Sequence, residues 1–536
     1  MAPPSTANGT LFVNSIPHTM EKDLPDGGNW VVQKYGGTSV GKFASNIANI
    51  VEAYLKNNRI AVVCSARSST IKIEGTTSRL LRAAKEAEIP KSTGYLPIVK
   101  AIQDDHIGAA KDAIRSPDIF DNYAAQVTSE CQELVKVLES AQHIEEVSFK
   151  AENKIISKGE KLASMYMAAL LNDRDIPAQY VDLSDIIKNY DISTAREGFY
   201  QRLSIAFAKE IRTCGNKIPI ITGYFGHIPG GLLHSIGRGY TDLCAALVAV
   251  GLNATELQIW KEVDGIFSAD PRKVPTARLI PSVTPAEASE LTFYGSEVIH
   301  PYTMDHVIRA RIPIRIKNVM NPRCAGTVIY PDPPSPSGSP TDALHPKLFR
   351  TRSSSVLDRA LKPKRPTAVT IKRSIVVLNV HSNKRTRSHG FLASIFSILD
   401  RWHLSVDLIA SSEVHVSMAL HSERSMISGG TGAEKDGDYE ELTIQDERLQ
   451  GAVTDLAELG DVDLSNDMAI VSLVGKDLKN MTGISGRFFS VLGENHINIE
   501  MISQGASEIN ISCVIWARDA DRALNVLHTN LFTFLE

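Results

Sequence analysis

The last third of the chain repeats itself, and no other feature narrows the possible folds as much. GFLASIFSIL at 390–399 lines up with GISGRFFSVL at 483–492, and HLSVDLIAS at 403–411 with HINIEMISQ at 496–504, both at an offset of 93. The flanking runs SIVVLNV and AIVSLVG, and EVHVSMAL and EINISCVI, align at 95, a difference that two extra residues in one loop explain. Each unit reads strand, loop, helix, strand, strand, with the helical patterns GAVTDLAELG and RALNVLHTNL placed to follow. That order predicts two ferredoxin-like βαββαβ modules, 374–467 and 468–536, the first carrying a polar insertion at about 421–441. A matched pair can join sheet edges or pack together and leave a pocket between equivalent loops, which suits a ligand sensor.

Upstream, between about 29 and 330, short β-branched runs alternate with helical patterns. WVVQKY, RIAVVCSA, AQYVDL, KIPIITG, ELQIWKEV and IPIRIKNV have the near-continuous apolar character of strands buried on both faces. The alternation predicts an α/β domain, a mainly parallel open sheet between two layers of helices. Thr284-Pro285-Ala286-Glu287 announces one helix by an N-cap hydroxyl, a proline at the first position and a capping-box glutamate. Residues 1–28 read as a disordered tail. PDPPSPSGSP at 331–340 opens a basic linker that extends to 373, a solvated spacer unless Arg352-Ser353-Ser354-Ser355 serves docking or phosphorylation.

Composition removes several classes of function. With 57 Lys+Arg against 61 Asp+Glu, the net charge of −4 argues against a protein that coats nucleic acid. No apolar run reaches the roughly 18 residues of a membrane-spanning helix, and the first residues lack a signal-peptide pattern, so the expected address is cytoplasmic. The six cysteines form no C-x-x-C pair, which disfavours both a disulfide framework and a thiolate zinc site.

Four glycine- or carboxylate-bearing segments fall where strands give way to helices. In Lys34-Tyr35-Gly36-Gly37-Thr38-Ser39, paired glycines permit close backbone approach, a helix start offers free N–H donors and Lys34 supplies a charge, as a phosphate site requires; a purely structural Gly-Gly turn fits equally. In Gly237-Arg238-Gly239-Tyr240-Thr241-Asp242, an arginine between glycines can grip a carboxylate bidentately, or the segment is an ordinary N-cap with an exposed arginine. In the run from Trp260 to Lys273, Asp264 and Asp270 can meet a ribose or a metal hydration shell and Arg272 and Lys273 can meet phosphates, although Asp-Gly and Asp-Pro also form plain turns. Ser157-Lys158-Gly159-Glu160 places a carboxylate at an expected helix start, where the helix dipole alone would account for it.

Taken in this order and spacing, KYGGTSV, VVCSA, SKGEKLAS, GRGYTDLCA, WKEVDGIFSADPR and YGSEVIHP, followed by the paired modules, resemble the aspartate kinases of the amino-acid kinase superfamily, most closely the fungal monofunctional enzymes. The resemblance covers about 30–330 and 370–536. It implies a three-layer αβα sandwich with two C-terminal ACT modules, and transfer of the γ-phosphate of ATP to the side-chain carboxylate of L-aspartate. It implies Lys34 and Asp242 as catalytic residues and Thr38, Glu160 and Arg238 as aspartate-binding residues. Gly36, Gly37, Ser39, Lys261, Glu262, Phe267 and Arg272 would bind ATP, with Mg²⁺ held through the phosphates and no metal site of the protein's own. Ser388, Gly390, Phe391, Leu392, Asp407 and Ser412 match the effector-binding pattern, with threonine ahead of lysine as the feedback ligand and a homo-oligomer formed through the ACT modules. One position departs from the pattern: many bacterial relatives carry a lysine where this chain has Glu297, and Lys261, Arg272 or Lys273 would have to compensate. The competing functions are another amino-acid kinase or a catalytically silent amino-acid sensor. Intact Lys34, Glu160, Arg238 and Asp242 argue against the silent sensor.

Overall fold

The computed structural model describes residues 29–533 apart from 69–73, 191, 193–197, 227, 229–231, 233–238, 296–298, 300, 332–364, 383–389, 413, 422–426, 429–442, 477 and 506–508. The tail, the proline-serine linker with Arg352-Ser355, and most of the 421–441 insertion lie outside the described residues.

The amino-terminal domain is built on strands β1 (Asn29–Tyr35), β2 (Asn58–Cys64), β3 (Ala178–Val181), β4 (Ile218–Thr222), β5 (Glu256–Lys261), β6 (Ser282–Val283), β7 (Ile314–Asn318) and β8 (Thr327–Ile329). They form one sheet in the order β3-β4-β2-β1-β5-β7-β8-β6, parallel except where β8 meets β7. Alternate residues of the same strands feed two separate cores: Val32, Val63 and Ile259 face one helix layer, Val31, Val62 and Trp260 the other. That is why these strands read as unbroken apolar runs rather than as alternating ones. The capping box at Thr284 is present, with Thr284 Oγ1 accepting from Glu287 N and Glu287 Oε2 accepting from Thr284 N, and it opens helix Pro285–Phe293.

One helix starts elsewhere than its sequence suggested. Ser148 caps it by accepting from Ala151 N, and the helix runs Phe149–Asn172. Glu160 is therefore in the helix interior, and a helix-dipole role for it is excluded.

Beyond the linker, β9 (Ala368–Ser382), β10 (Val406–Ser411), β11 (His415–His421), the short pair β12 (Ile427–Ser428) and β13 (Thr443–Ile444), β14 (Gly460–Val474), β15 (Met501–Ser503) and β16 (Asn510–Trp516) follow. Six of them join in one sheet, β10-β11-β9-β14-β16-β15. The two modules share its central strands. From Ile375 onward β9 pairs with β11, and with β14 as far as Ser465, which gives the first module all four strands; residues 368–372 pair with 470–474 and close the second. Residues 368–373, read from sequence as linker, are thus the fourth strand of the downstream module. The crossover occurs at Ser374 and Asp467, both in left-handed conformation (φ +60° and +52°), where the ladder between the strands changes register.

Helices Phe391–Arg401 and Glu447–Ala457 cover one half of the sheet, and Ile484–Glu494 and Ala520–His528 the other. The opposite faces close on each other around Ile375, Leu408, Ile470, Met501 and Val514, and Tyr294 of the amino-terminal domain completes that cluster.

Candidate active site

The loops at the carboxyl ends of β1, β2, β4 and β5 converge, as ligand sites in open parallel sheets do. Lys34, at the end of β1, sends Nζ to within 2.7 Å of Asp242 Oδ1 in the first turn of helix Tyr240–Leu252. Both side chains are largely buried, and Asp242 Oδ1 makes no hydrogen bond, so the contact is an ion pair with lone pairs to spare.

Glu160 is 1% exposed. Its Oε1 accepts from Thr241 Oγ1 at 2.6 Å, whereas Oε2 has no hydrogen-bond partner. Burial pushes the carboxyl up to about 7, outweighing the hydrogen bonds from Thr241 and Tyr240 and the attraction of Lys34. A carboxyl so poised becomes an anion when a cation is supplied. Gly223, just past β4, makes room for it: a Cβ there would stand 2.8 Å from Glu160 Oε2 and 2.4 Å from Thr241 Cγ2. Neither Thr241 nor Gly223 was singled out as a functional residue from the sequence, although a glycine directly after the buried IPIIT strand was the available clue.

The two glycines of the first loop do different work. A Cβ on Gly37 would lie 2.3 Å from Ala66 O, and Gly37 O accepts from Ser68 N at 2.9 Å, so this glycine seats the loop on the segment after β2. Gly36 faces open space and leaves its side of the helix start accessible. Ser39 is fully buried and donates to Glu262 Oε1 at 2.6 Å, which ties the first loop to the one after β5; Thr38 is half-buried. The Ser39 hydroxyl is committed to Glu262 in this arrangement.

The loop after β5 is held from several sides. Asp264 Oδ1 accepts from Asn318 Nδ2 (2.9 Å) and Asn321 Nδ2 (3.1 Å), and Ile266 N donates to Thr327 Oγ1 (2.8 Å). Lys261 and Phe267 are half-buried. Arg272 is 88% exposed and paired with Asp270 two residues away, while Lys273 reaches Asp521 of the second module at 2.9 Å. Lys273 is therefore engaged away from the site. Arg238 and Glu297 lie outside the described residues.

Of the expected effector residues, Ser388 also lies outside them. Gly390 has φ +90° at the start of helix Phe391–Arg401, followed by half-buried Phe391 and exposed Leu392; Asp407 is on β10 and Ser412 follows it. Asp407 was expected to be available to an effector's ammonium group. Its Oδ2 lies 2.7 Å from Lys372 Nζ instead, and Lys372 sits over the ring of Phe293 in the catalytic domain.

Among the described residues no group of three or more His, Cys, Asp or Glu side chains could hold a metal ion, and no helix is long and apolar enough to cross a membrane. All six cysteines are free thiols.

Residues 29–318 match the model of the amino acid kinase family, and 471–531 match an ACT domain. An aspartokinase of Schizosaccharomyces pombe is 51% identical over 524 residues, 96% of this chain and 95% of that protein; one from Saccharomyces cerevisiae is 49% identical over 515, covering 94% and 93%. Among solved structures, Escherichia coli aspartokinase III in complex with aspartate and ADP (R-state) superposes with a TM-score of 0.68 at 28% identity, covering 94% of this chain and 99% of that one. The same enzyme in complex with lysine and aspartate (T-state) gives the same values. The converging loops, the paired ACT modules and relatives of this similarity over nearly the whole chain lead to one conclusion: the chain belongs to the amino acid kinase family and, within it, to the aspartokinases, which phosphorylate aspartate with ATP.

Proposed function

We propose that the chain transfers the γ-phosphoryl group of ATP to the side-chain carboxylate of L-aspartate at the cluster around Lys34, Asp242 and Glu160. The observation that carries this reading is the Lys34–Asp242 ion pair standing beside buried Glu160, whose carboxyl pKa is raised by burial, at the carboxyl end of one sheet. The acceptor carboxylate is ionised at neutral pH, so no general base is needed. What the site supplies is in-line placement and relief of repulsion between two anions.

Lys34 is the cation for the phosphoryl group in flight, and Asp242 orients it. Glu160, ionised by the approach of the substrate's ammonium group, holds that group through its unpartnered Oε2, with Arg238 on the α-carboxylate and Thr38 at the edge of the aspartate site. Gly36 and the helix start beside it face the phosphates, with Gly37 and Ser39 shaping that loop and Lys261, Glu262, Phe267 and Arg272 forming the nucleotide side. Mg²⁺ bound to the phosphates would supply charge neutralisation. The donor set fits that arrangement, because Asp242 Oδ1 has lone pairs to spare.

The effector reading places a small amino acid, threonine ahead of lysine, at Ser388, Gly390, Phe391, Leu392, Asp407 and Ser412 of the first module. Its ammonium group has to displace Lys372 from Asp407, and Lys372 contacts Phe293, so binding is felt in the catalytic domain. The enzyme works as a cytoplasmic homo-oligomer associated through its ACT modules.

Coupled ADP release with a panel of amino acids tests the reading. Aspartate-dependent, Mg²⁺-dependent turnover that threonine inhibits is expected. ADP release independent of the amino acid overturns the activity, and indifference to both threonine and lysine overturns the effector assignment alone.

A further inference from the structure

The loop after β5 is not folded by the catalytic domain alone. Ala269 and Val274 are 3% and 1% exposed, and the core that buries them is that of the second ACT module, with Leu473, Ile511 and Phe532. Ser268 O accepts from Val369 N at 2.8 Å, so the end of β9 runs alongside the loop. Lys273 and Arg373 both reach Asp521, at 2.9 and 2.6 Å.

At the centre of this contact is His528, the last residue of helix Ala520–His528, 1% exposed and stacked on Phe532 with ring centroids 4.9 Å apart. Its Nε2 is 2.8 Å from Ser268 Oγ and its Nδ1 is 3.2 Å from Thr276 Oγ1. Ser268 Oγ already accepts from Arg278 N at 2.9 Å. The pattern is satisfied when the Ser268 hydroxyl donates to Nε2 and Nδ1–H donates to Thr276, which requires a neutral imidazole. Burial and the nearby Arg278 lower the histidine's pKa, in keeping with that state. One ring therefore fastens two points of the loop, one directly after Phe267 and one beyond Arg272.

We infer that His528 is a positioning residue for ATP: through this ring the second ACT module holds the nucleotide loop in its binding shape, so that part of the ATP affinity resides outside the catalytic domain. The inference rests on the reading that 261–272 contacts the nucleotide. Aspartate, held by Thr38, Glu160 and Arg238, does not depend on the ring.

Steady-state kinetics on full-length variants test it. His528→Ala is expected to raise the KM for ATP about tenfold, with kcat and the KM for aspartate within about twofold of wild type, because loss of a positioning contact made in ground and transition states alike appears in KM. His528→Gln, which keeps a donor and an acceptor, should recover most of the loss. Thr276→Val, which keeps the volume and removes one hydroxyl, should raise the KM for ATP roughly threefold. A folded His528→Ala with wild-type ATP KM, or with both KM values raised equally, overturns the inference; if that variant does not fold, Thr276→Val and Ser268→Ala decide by the same criterion. Phe267→Ala separates the two levels. If it raises the ATP KM while the His528 and Thr276 variants do not, only the inference fails; if it too is without effect, the nucleotide-loop reading fails and takes the inference with it.

Discussion

The two ACT modules are copies in backbone and opposites in attachment. Their left-handed residues recur at the same spacing, Ser374 with Asp467, Gly390 with Gly483 and His403 with His496, each pair 93 apart. Yet the second module has taken Ala269 and Val274 of the loop after β5 into its core, whereas in the first the helix after Gly390 leaves Leu392 and Phe396 exposed, at 42% and 44%. A duplicated fold has diverged by what it packs against. One copy is committed to the catalytic domain, and the other keeps an exposed apolar helix face.

If the chemistry lies outside both copies, Lys34→Ala should lower kcat by about 10²–10⁴ and leave the inhibition constant for threonine unchanged, since its charge matters most in the transition state. A variant with near-normal kcat breaks the assignment.

Ile395 and Phe488 are fully buried equivalents, 93 residues apart. Phe488→Ala should cost about 3–5 kcal/mol and Ile395→Ala about 2–5 kcal/mol of stability, but only Phe488→Ala should also weaken ATP. Thermal unfolding with ATP KM measured below the transition checks both parts, and equal effects on ATP would erase the distinction between the copies.

Gly390 and Gly483 share a positive φ, and a Cβ on either would face open space. Gly390→Asp should retain kinase activity and lose threonine inhibition by about tenfold or more, whereas Gly483→Asp should remain inhibited, each at a strain cost of roughly 1–2 kcal/mol. Desensitisation by both substitutions would show that the copies act as one sensor.

A further effect concerns pH and neither copy. Glu160 stands near 7 in the fold against an ordinary 4.5, so the native state holds a proton that the unfolded chain has released. Stability of the unliganded enzyme should therefore fall as pH rises from about 4.5 to about 7, by up to about 3 kcal/mol, and level off above. Aspartate requires the ionised form, and its KM should drop roughly tenfold between pH 6 and 8. Glu160→Gln should flatten both profiles, and an ATP KM that followed the same curve would place Glu160 on the wrong substrate.

Much of this was legible in the sequence. The six strand runs of the first domain, the capping box at Thr284 and the internal repeat each carry a local pattern that tertiary packing did not override. The errors came where local pattern is silent. The first strands of the modules, aligned from sequence at 95, match at 93 when measured from Ser374 and Asp467. A slip of two residues keeps every side chain on its face, so alternation cannot detect it. The helix carrying Glu160 starts at Phe149, beyond the reach of a pattern read from LASMYMAALL. In the site, Lys34, Glu160 and Asp242, which the structure brings together, were singled out because each sits near a glycine or a strand end. Thr241, Gly223, Lys372 and His528 were missed because their roles depend on partners tens to hundreds of residues away.

The crossover at Ser374 and Asp467 also has a meaning in time. A chain leaving the ribosome delivers residues 368–373 first, yet their partners at 470–474 appear only after the whole first module has been made. The first module can close as soon as 460–465 emerge, while the second must await β15, β16 and the helix ending at His528. Domains generally mature in the order in which they are synthesised. Here the amino-terminal domain is translated first, but the residues that pack against and hydrogen-bond its 268–276 loop, up to His528 and Phe532, are delivered last.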